Sequence, residues 1–229
     1  MKTPRPLPLS LLLSSALASS CLHAAEPIQL FNGTDLEGWS VKGGRATYEV
    51  VEGAIVGTTQ PKSPNTFLCP EQTFSDFELT FEVQCDPKLN SGVQIRSIDS
   101  TENLPEELTG TTLKKASKRT KSGSLTGPQV EIAANNKAGS IYFEGVGGWL
   151  VEGSPKTAAK AYLKEDWNHY KIRVEGKRIR VWINDQLVTD GEDSTSHFSE
   201  GFLGFQVHSI KPGVGPFQVR WRNISLLPL

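Results

Sequence analysis

The chain has 229 residues, of which 37% are hydrophobic, and this size and composition suit one globular domain with one core. Its formal net charge of -1 and its pI of about 6.4 provide no broad attraction to nucleic acid or to anionic lipid. Proteins that bind nucleic acid through a basic surface are therefore excluded, and we expect no nucleic-acid partner.

Residues 1–25 have the organisation of an export signal peptide. Lys2 and Arg5 form a charged start, an apolar stretch occupies residues 9–18, and small residues follow at 24–25. The apolar stretch is shorter than the roughly 20 residues that a transmembrane helix requires. We therefore expect an exported protein with no transmembrane segment.

The three cysteines have different predicted fates. Residues 18–21 resemble a bacterial lipobox that lacks its usual leucine, so a lipid anchor at Cys21 is an alternative to simple cleavage. Cys69 and Cys85 flank a predicted hairpin, and Cys85 lies several residues beyond the position opposite Cys69. We expect these two thiols to be unpaired and partly buried.

Strand patterns dominate the chain after the export signal. Apolar and polar residues alternate in residues 77–83, 170–174 and 179–183, and a Glu175-Gly176 turn joins the last two runs. Many short strands with frequent turns, and no long amphipathic helix, predict an all-β sandwich of two antiparallel sheets. We expect residues 26–229 to form this single domain.

A polar stretch at residues 99–126 interrupts the strand pattern as a long insertion. It carries a basic run between Lys114 and Lys121. Loops of this length are uncommon in a compact domain unless they are functional or disordered. The insertion therefore either overhangs a binding face or is a solvated loop.

Three strand-like stretches each carry two polar residues separated by one apolar residue. The pairs are Gln94 and Arg96, Gln129 and Glu131, and Gln206 and His208. Successive side chains of a strand point to opposite faces, so each pair shares a face while its apolar neighbours face the core. If the three strands are adjacent, this face suits a polar ligand. The alternatives are a solvated salt bridge between Arg96 and Glu131 and a structural histidine at a strand end.

Three further residues are candidates for ligand contact: Asn90, Trp149 and Asn168. Trp149 follows a Gly-rich stretch, residues 145–148, that could present its ring to a sugar, although burial is the commoner fate of tryptophan. Asn90 and Asn168 have turn or capping roles as their alternatives.

A series of short motifs in a fixed order resembles one protein family. The motifs are LFNGTDLEGW at 30–39, VEGAIVG at 51–57, DFEL at 76–79, NSGVQIR at 90–96, EI at 131–132, WN at 167–168 and RNI at 222–224. This order resembles the 3-keto-disaccharide hydrolase domain family, formerly called domain of unknown function 1080. The resemblance implies a concanavalin A-like jelly roll whose concave face binds sugars. It also implies activity on glycosides oxidised at C3, or carbohydrate binding alone, in the periplasm or outside a bacterial cell.

A 3-keto sugar permits cleavage by elimination, because the C3 carbonyl acidifies the C2 proton and places the glycosidic oxygen in a β position. A base removes the proton, a cation or donor holds the enolate oxygen, an acid assists the departing alkoxide, and hydration completes a net hydrolysis. We expect Glu131 or His208 to be the base, the other to assist the leaving group, and Arg96 to hold the enolate. The three glutamines would orient hydroxyl groups.

Other chemistries have weaker support in the sequence. Ordinary glycoside hydrolysis requires two carboxylates across the bond, and no obvious pair is present. The four histidines show no metal-ligand spacing, so we expect neither a metal nor another cofactor. Two hypotheses remain: a hydrolase whose partner is a 3-keto-glycoside or oligosaccharide, and a non-catalytic carbohydrate-binding module that uses the same face.

Overall fold

The computed structural model describes residues 25–99, 124–195 and 198–229. Nearly all of the predicted export signal, including Cys21, and most of the 99–126 insertion therefore lie outside the described residues. No helix in the described part of the chain is long and apolar enough to cross a membrane.

The described residues form sixteen β-strands and one short α-helix. In chain order the strands are β1 (Ile28–Gln29), β2 (Trp39–Gly43), β3 (Thr47–Val51), β4 (Ala54–Thr58), β5 (Thr66–Pro70), β6 (Thr73–Phe74), β7 (Phe77–Cys85), β8 (Asn90–Asp99), β9 (Leu125–Ala133), β10 (Ile141–Glu144), β11 (Trp149–Val151), β12 (Asn168–Glu175), β13 (Arg178–Ile183), β14 (Gln186–Glu192), β15 (Gly201–Val207) and β16 (Gln218–Pro228). The helix α1 (Pro155–Ala161) lies between β11 and β12. The hydroxyl oxygen of Ser154 accepts a hydrogen bond from the backbone N–H of Thr157 and so caps its first turn.

The strands form two antiparallel sheets. The back sheet has the order β14-β13-β12-β7-β16-β4-β3, with β1 beside β16, and the front sheet has the order β11-β10-β9-β8-β15-β5-β2, with β6 beside β15. The three predicted alternating runs are β7, β12 and β13, and Glu175 pairs with Arg178 at the predicted hairpin. The prediction of an all-β sandwich of two antiparallel sheets is confirmed.

A large apolar core joins the two sheets. The ring centroid of Phe205, in the front sheet, lies 5.9 Å from that of Phe81 and 5.8 Å from that of Trp221, and both of these residues are in the back sheet. The predicted inward residues of the three polar strands belong to this core: Val93, Ile95, Val130, Ile132, Phe205 and Val207. Burial of each large apolar side chain contributes roughly 1.5–3 kcal/mol relative to exposure, so the core determines which face of the front sheet points outward.

Candidate functional site

The front sheet brings the three predicted polar strands together, because β9, β8 and β15 are neighbours in that order. Gln94 pairs with Gln129, and Gly92 pairs with Glu131 on one side and with Gln206 on the other. Since the apolar residues of these strands face the core, the amides and the carboxylate lie on the outer face.

Gly92 leaves the space that this polar cluster occupies. A Cβ atom at position 92 would lie 2.6 Å from Cδ and 2.8 Å from Nε2 of Gln129, closer than real Cβ atoms approach a neighbour. Any larger residue would displace the Gln129 side chain. The glycine of the NSGVQIR motif therefore has a packing role at the centre of the site.

The three predicted glutamines form one hydrogen-bonded network. Gln94 and Gln206 are 0% exposed and Gln129 is 2% exposed. Oε1 of Gln129 accepts from Nε2 of Gln94 at 2.7 Å and from Nε2 of Gln206 at 2.8 Å. The hydroxyl of Ser97 donates to Oε1 of Gln94. Buried amides are costly unless hydrogen-bonded, so this network holds the three side chains in one arrangement.

Glu131 is a carboxyl group that the fold largely removes from water. It is 6% exposed, and Nδ2 of Asn90 donates a hydrogen bond to its Oε1. Burial raises its pKa to about 7; hydrogen bonds from Asn90 and Gln129 oppose this rise, and the charge of Glu144 adds to it. Glu131 therefore exchanges its proton near neutral pH, as an efficient general acid or base does.

Glu144 is a second carboxylate on the same face. Its Oε1 accepts from Nδ2 of Asn65 at 2.9 Å, and its Oε2 accepts from Nε2 of Gln206 at 3.4 Å. The sequence patterns did not single out Glu144 or its neighbour Tyr142, although the two have the same i, i+2 spacing as the other polar pairs. Their strand β10 has only four residues, too few for an alternating pattern to be recognised in the sequence. Glu131 and Glu144 are thus two carboxyl groups that line the same cavity, a pair that the sequence did not reveal.

These side chains line a groove formed by two cavities. The first, about 210 Å³ in volume, is lined by Asn90, Gln129, Glu131, Tyr142, Glu144, Trp149 and His208. The second, about 470 Å³, is also lined by Tyr142, Glu144 and His208 and extends along Asn65 and Ser209. The groove therefore collects a polar set of side chains, with two aromatic rings, on the outer face of the front sheet.

His208 and Trp149 both lie in the groove. Nδ1 of His208 lies 2.8 Å from the carbonyl oxygen of Ser209; because a carbonyl only accepts, Nδ1 carries a proton. Nε2 is then the nitrogen available to a ligand. Trp149 is 36% exposed, and its ring meets Tyr142 in an edge-to-face contact with centroids 5.3 Å apart. The catalytic and binding roles of both residues stay predictions.

Arg96 does not lie in the groove, and the prediction that it shares a face with Gln94 is wrong. The pairing of β8 with β9 shifts register between Gln94 and Ile98, and Arg96 has a positive φ of 54°. This bulge turns the guanidinium to the end of the sandwich. There it donates to the carboxylate of Asp76 and to three backbone carbonyl oxygens, those of Ser75, Gly176 and Phe198. Ser97 takes its place beside Gln94.

Asn168 also lies outside the groove, and its predicted contact with ligand is replaced by a structural role. It begins β12 in the back sheet and is 0% exposed. Its Oδ1 accepts from the backbone N–H of Leu163, and its Nδ2 donates to the carbonyl oxygens of Leu163 and Asp166. These bonds hold the loop that enters β12, which is the capping alternative that the sequence left open.

The described residues contain no group of three or more His, Cys, Asp or Glu side chains that could hold a metal ion.

Residues 26–227 match the family described as 3-keto-alpha-glucoside-1,2-lyase-like domain. The chain belongs to this family. The match spans nearly all of the chain after the predicted export signal, and it confirms the resemblance found from the short motifs. No curated protein matches the sequence significantly.

Solved structures with similar folds include carbohydrate-related proteins. A candidate glycosyl hydrolase from Parabacteroides distasonis ATCC 8503 superposes with a TM-score of 0.57 at 18% identity, covering 89% of this chain and 100% of the other. The carbohydrate-binding module CBM66 from Bacillus subtilis has a TM-score of 0.52 at 20% identity, with coverages of 83% and 95%. The β-glucanase of Bacillus licheniformis has a TM-score of 0.57 at 12% identity, with coverages of 91% and 99%. At these identities the similarity establishes the shared sandwich fold of this family member.

Proposed function

We propose that the protein cleaves the glycosidic bond of 3-keto-glycosides by elimination followed by hydration. The observation that carries this proposal is Glu131, a buried carboxyl group with a pKa of about 7 that lines one groove with Glu144 and His208. Membership of the 3-keto-alpha-glucoside-1,2-lyase-like family supports the substrate class.

In the first step, Glu131 in its ionised form takes the proton from C2 of the keto sugar. The electron pair of the C2–H bond forms the C2–C3 double bond, and the C3 carbonyl oxygen becomes an enolate. A hydrogen-bond donor must stabilise this oxygen. Arg96 does not reach the groove, because its hydrogen bonds to the carbonyl oxygens of Gly176 and Phe198 hold it at the end of the sandwich. The hydroxyl of Tyr142, which lines the same cavity, is the donor that we assign to it.

In the second step, the enolate re-forms the C3 carbonyl, a double bond forms between C1 and C2, and the C1–O bond to the leaving group breaks. Protonated His208 donates a proton from Nε2 to the departing oxygen. In the hydration, the oxygen of water bonds to C1 while the now neutral His208 takes one proton of that water at Nε2, and the C1–C2 double bond opens to the enolate. Glu131, whose proton has by then exchanged with solvent, protonates C2 as the C3 carbonyl re-forms, so the sum of the steps is hydrolysis and both residues regain their starting states.

The remaining groove residues bind the substrate. Asn90 and Glu144 line the groove and would contact sugar hydroxyls, and the exposed face of Trp149 would stack on a sugar ring. The glutamines lie deeper and act mainly through the groove residues that they hold.

We further propose that the protein acts after export, in the periplasm or outside the cell. Fractionation of cells that express the full chain tests this, and a cytoplasmic full-length product would contradict it.

The decisive experiment is product formation from a 3-keto-glucoside, such as 3-keto-trehalose, by the wild type and by Glu131→Gln and His208→Ala variants. We expect turnover of the keto substrate, none of the unoxidised glycoside, and at least a hundredfold loss in each variant. Glu49→Gln and His169→Ala are the matched controls, because both residues are exposed on the back sheet.

A second measurement tests the elimination itself. In D2O the hydration step places deuterium at C2 of the product, whereas direct displacement at C1 leaves the original hydrogen there. A product without deuterium at C2, or equal turnover of the unoxidised glycoside, would contradict elimination. It would favour hydrolysis by the Glu131 and Glu144 pair instead.

A non-catalytic carbohydrate-binding module is the second candidate function. It is favoured by the 36% exposure of Trp149 beside Tyr142 in the groove, and CBM66, which shares this fold, is itself a carbohydrate-binding module. Saturable sugar binding that is lost in Trp149→Ala, with no turnover of any keto-glycoside, would establish this function in place of catalysis.

A further inference from the structure

The orientation of the Gln129 amide is determined by its neighbours. Its oxygen Oε1 accepts from Nε2 of Gln94 at 2.7 Å and from Nε2 of Gln206 at 2.8 Å. A rotated amide would place its own N–H2 against these two donors and would lose both bonds. With the oxygen so occupied, the N–H2 group lies over Gly92, 2.8 Å from where a Cβ atom of that residue would be, and Gly92 is the strand partner of Glu131.

The orientations of Gln94 and Gln206 are determined in turn by the next groups in the network. Oε1 of Gln94 accepts from the hydroxyl of Ser97, which leaves its N–H2 for Gln129. Nε2 of Gln206 donates both to Gln129 and, at 3.4 Å, to Oε2 of Glu144. An ionised carboxylate only accepts hydrogen bonds, so Glu144 holds the N–H2 of Gln206 in this direction.

We propose that Gln94 and Gln206 are positioning residues, which fix the Gln129 amide with its N–H2 group towards Glu131 and link that orientation to the carboxylate of Glu144. Neither glutamine needs to touch the substrate. A donor aimed at Glu131 stabilises the ionised form that accepts the C2 proton and offsets part of the repulsion between the two carboxylates. The part concerning catalysis rests on the proposed function, whereas the orientation itself does not.

Several titratable groups face Glu131 and must be separated from this effect. They are Glu144 and Tyr142 from β10, His208 after β15, Tyr170 from β12 and Cys85 at the end of β7. Burial raises the pKa of Cys85 to about 12 and that of Tyr170 well above its ordinary value, so both stay neutral between pH 4 and 9. Repeating the titration in Glu144→Gln, Tyr142→Phe and His208→Ala backgrounds removes the other three contributions.

The test is a titration of the Glu131 carboxyl carbon by ¹³C NMR, with the resonance assigned from Glu131→Gln. Loss of a hydrogen bond to a charged group corresponds to about one pKa unit, a tenfold change in the ionisation constant. We expect Gln129→Met to raise the pKa of Glu131 by about one unit and Gln94→Met by about half as much. Gln218→Met is the control, because the side chain of this exposed glutamine in the back sheet bonds only to Thr58 among the described residues.

Two outcomes would overturn the proposal. An unchanged titration in Gln94→Met beside a changed one in Gln129→Met would show that Gln94 does not position the amide. An unchanged titration in both would show that the amide does not act on Glu131.

A measurement on the wild type covers the case in which a buried variant fails to fold. If the N–H2 group of Gln129 faces Glu131, its ¹H–¹⁵N resonances move with a midpoint at the Glu131 titration, and resonances that do not respond overturn the proposal. None of these readouts requires sugar turnover, so failure of the proposed function leaves them interpretable. If turnover is found, the acid limb of its pH profile should shift upward in Gln94→Met by the same amount as the Glu131 titration.

Discussion

At the scale of single residues, burial explains both what Glu131 can do and why the sequence could indicate only part of its site. Its i, i+2 spacing from Gln129 predicted a shared face, and the structure places both in the same groove. The spacing could not reveal Glu144, whose proximity depends on how β10 packs beside β9. It also could not reveal the pKa of Glu131, because that depends on groups from several strands.

The pKa of Glu131 leads to a prediction about stability and pH. The folded-state value of about 7 lies above the ordinary value of 4.5, so the folded protein holds this proton more tightly than the unfolded chain. The stabilisation from this group is complete below about pH 4.5 and is lost as the pH rises through about 7. At 1.36 kcal/mol per pKa unit, a rise of about 2.5 units corresponds to a loss of about 3–4 kcal/mol.

Replacing Glu131 by Gln removes this dependence, since an amide does not titrate but can still accept from Asn90. We expect Glu131→Gln to be more stable than the wild type at pH 8 and no more stable at pH 4.5. Urea unfolding at a series of pH values measures this, with the exposed Glu49→Gln as the control. A wild type and a Glu131→Gln variant with parallel pH profiles would contradict the assigned pKa.

At the scale of elements, alternation predicted the regular strands well and failed at an irregular one. The three clearest runs became β7, β12 and β13, because side chains of an unbroken strand must alternate between faces. In β8 the alternation continues in sequence as far as Arg96, but the backbone does not follow it. The register shift between Gln94 and Ile98 is invisible to a period-two pattern, so the predicted place of Arg96 was wrong.

The bulge in β8 makes Arg96 a structural residue rather than a catalytic one. Removing its guanidinium leaves the backbone carbonyls of Ser75 and Gly176 without their donor, and Asp76 without its cation. We expect Arg96→Leu to lose about 2–4 kcal/mol of stability, as measured by urea unfolding, and to keep the titration of Glu131 unchanged.

Arg178→Leu is the comparison for Arg96→Leu, because the side chain of Arg178 is 54% exposed and its guanidinium bonds only to Asp190 among the described residues. This exposed pair should contribute less than about 1 kcal/mol. If Arg96→Leu retained full stability but abolished turnover of a keto-glycoside, Arg96 would belong to the site after all.

At the scale of the whole molecule, the order of short motifs predicted more than any single pattern did. Motifs distributed from residue 30 to residue 224 indicated the family and hence the sandwich fold, because their spacing reflects every strand and connection between them. The sandwich then explains the site. Phe205 lies in the core while its neighbour Gln206 belongs to the polar network, so the packing that stabilises the two sheets also holds the groove residues in place.

The same packing encloses the two cysteines of the described residues. Cys69 lies in the front sheet and Cys85 in the back sheet, and both are free and buried, more completely than the sequence indicated. Burial raises the pKa of each thiol to about 12, so neither forms the reactive thiolate at neutral pH.

We expect 5,5′-dithiobis(2-nitrobenzoate) to label neither thiol in the folded Cys21→Ser chain and both in denaturant without a reductant. A Thr47→Cys variant, with its added thiol at an exposed position of β3, should add one rapidly labelled group to the folded protein. Absence of labelling in denaturant would mean a disulfide, and rapid labelling of the folded chain without the added cysteine would mean that the sandwich opens far more readily than its core packing implies.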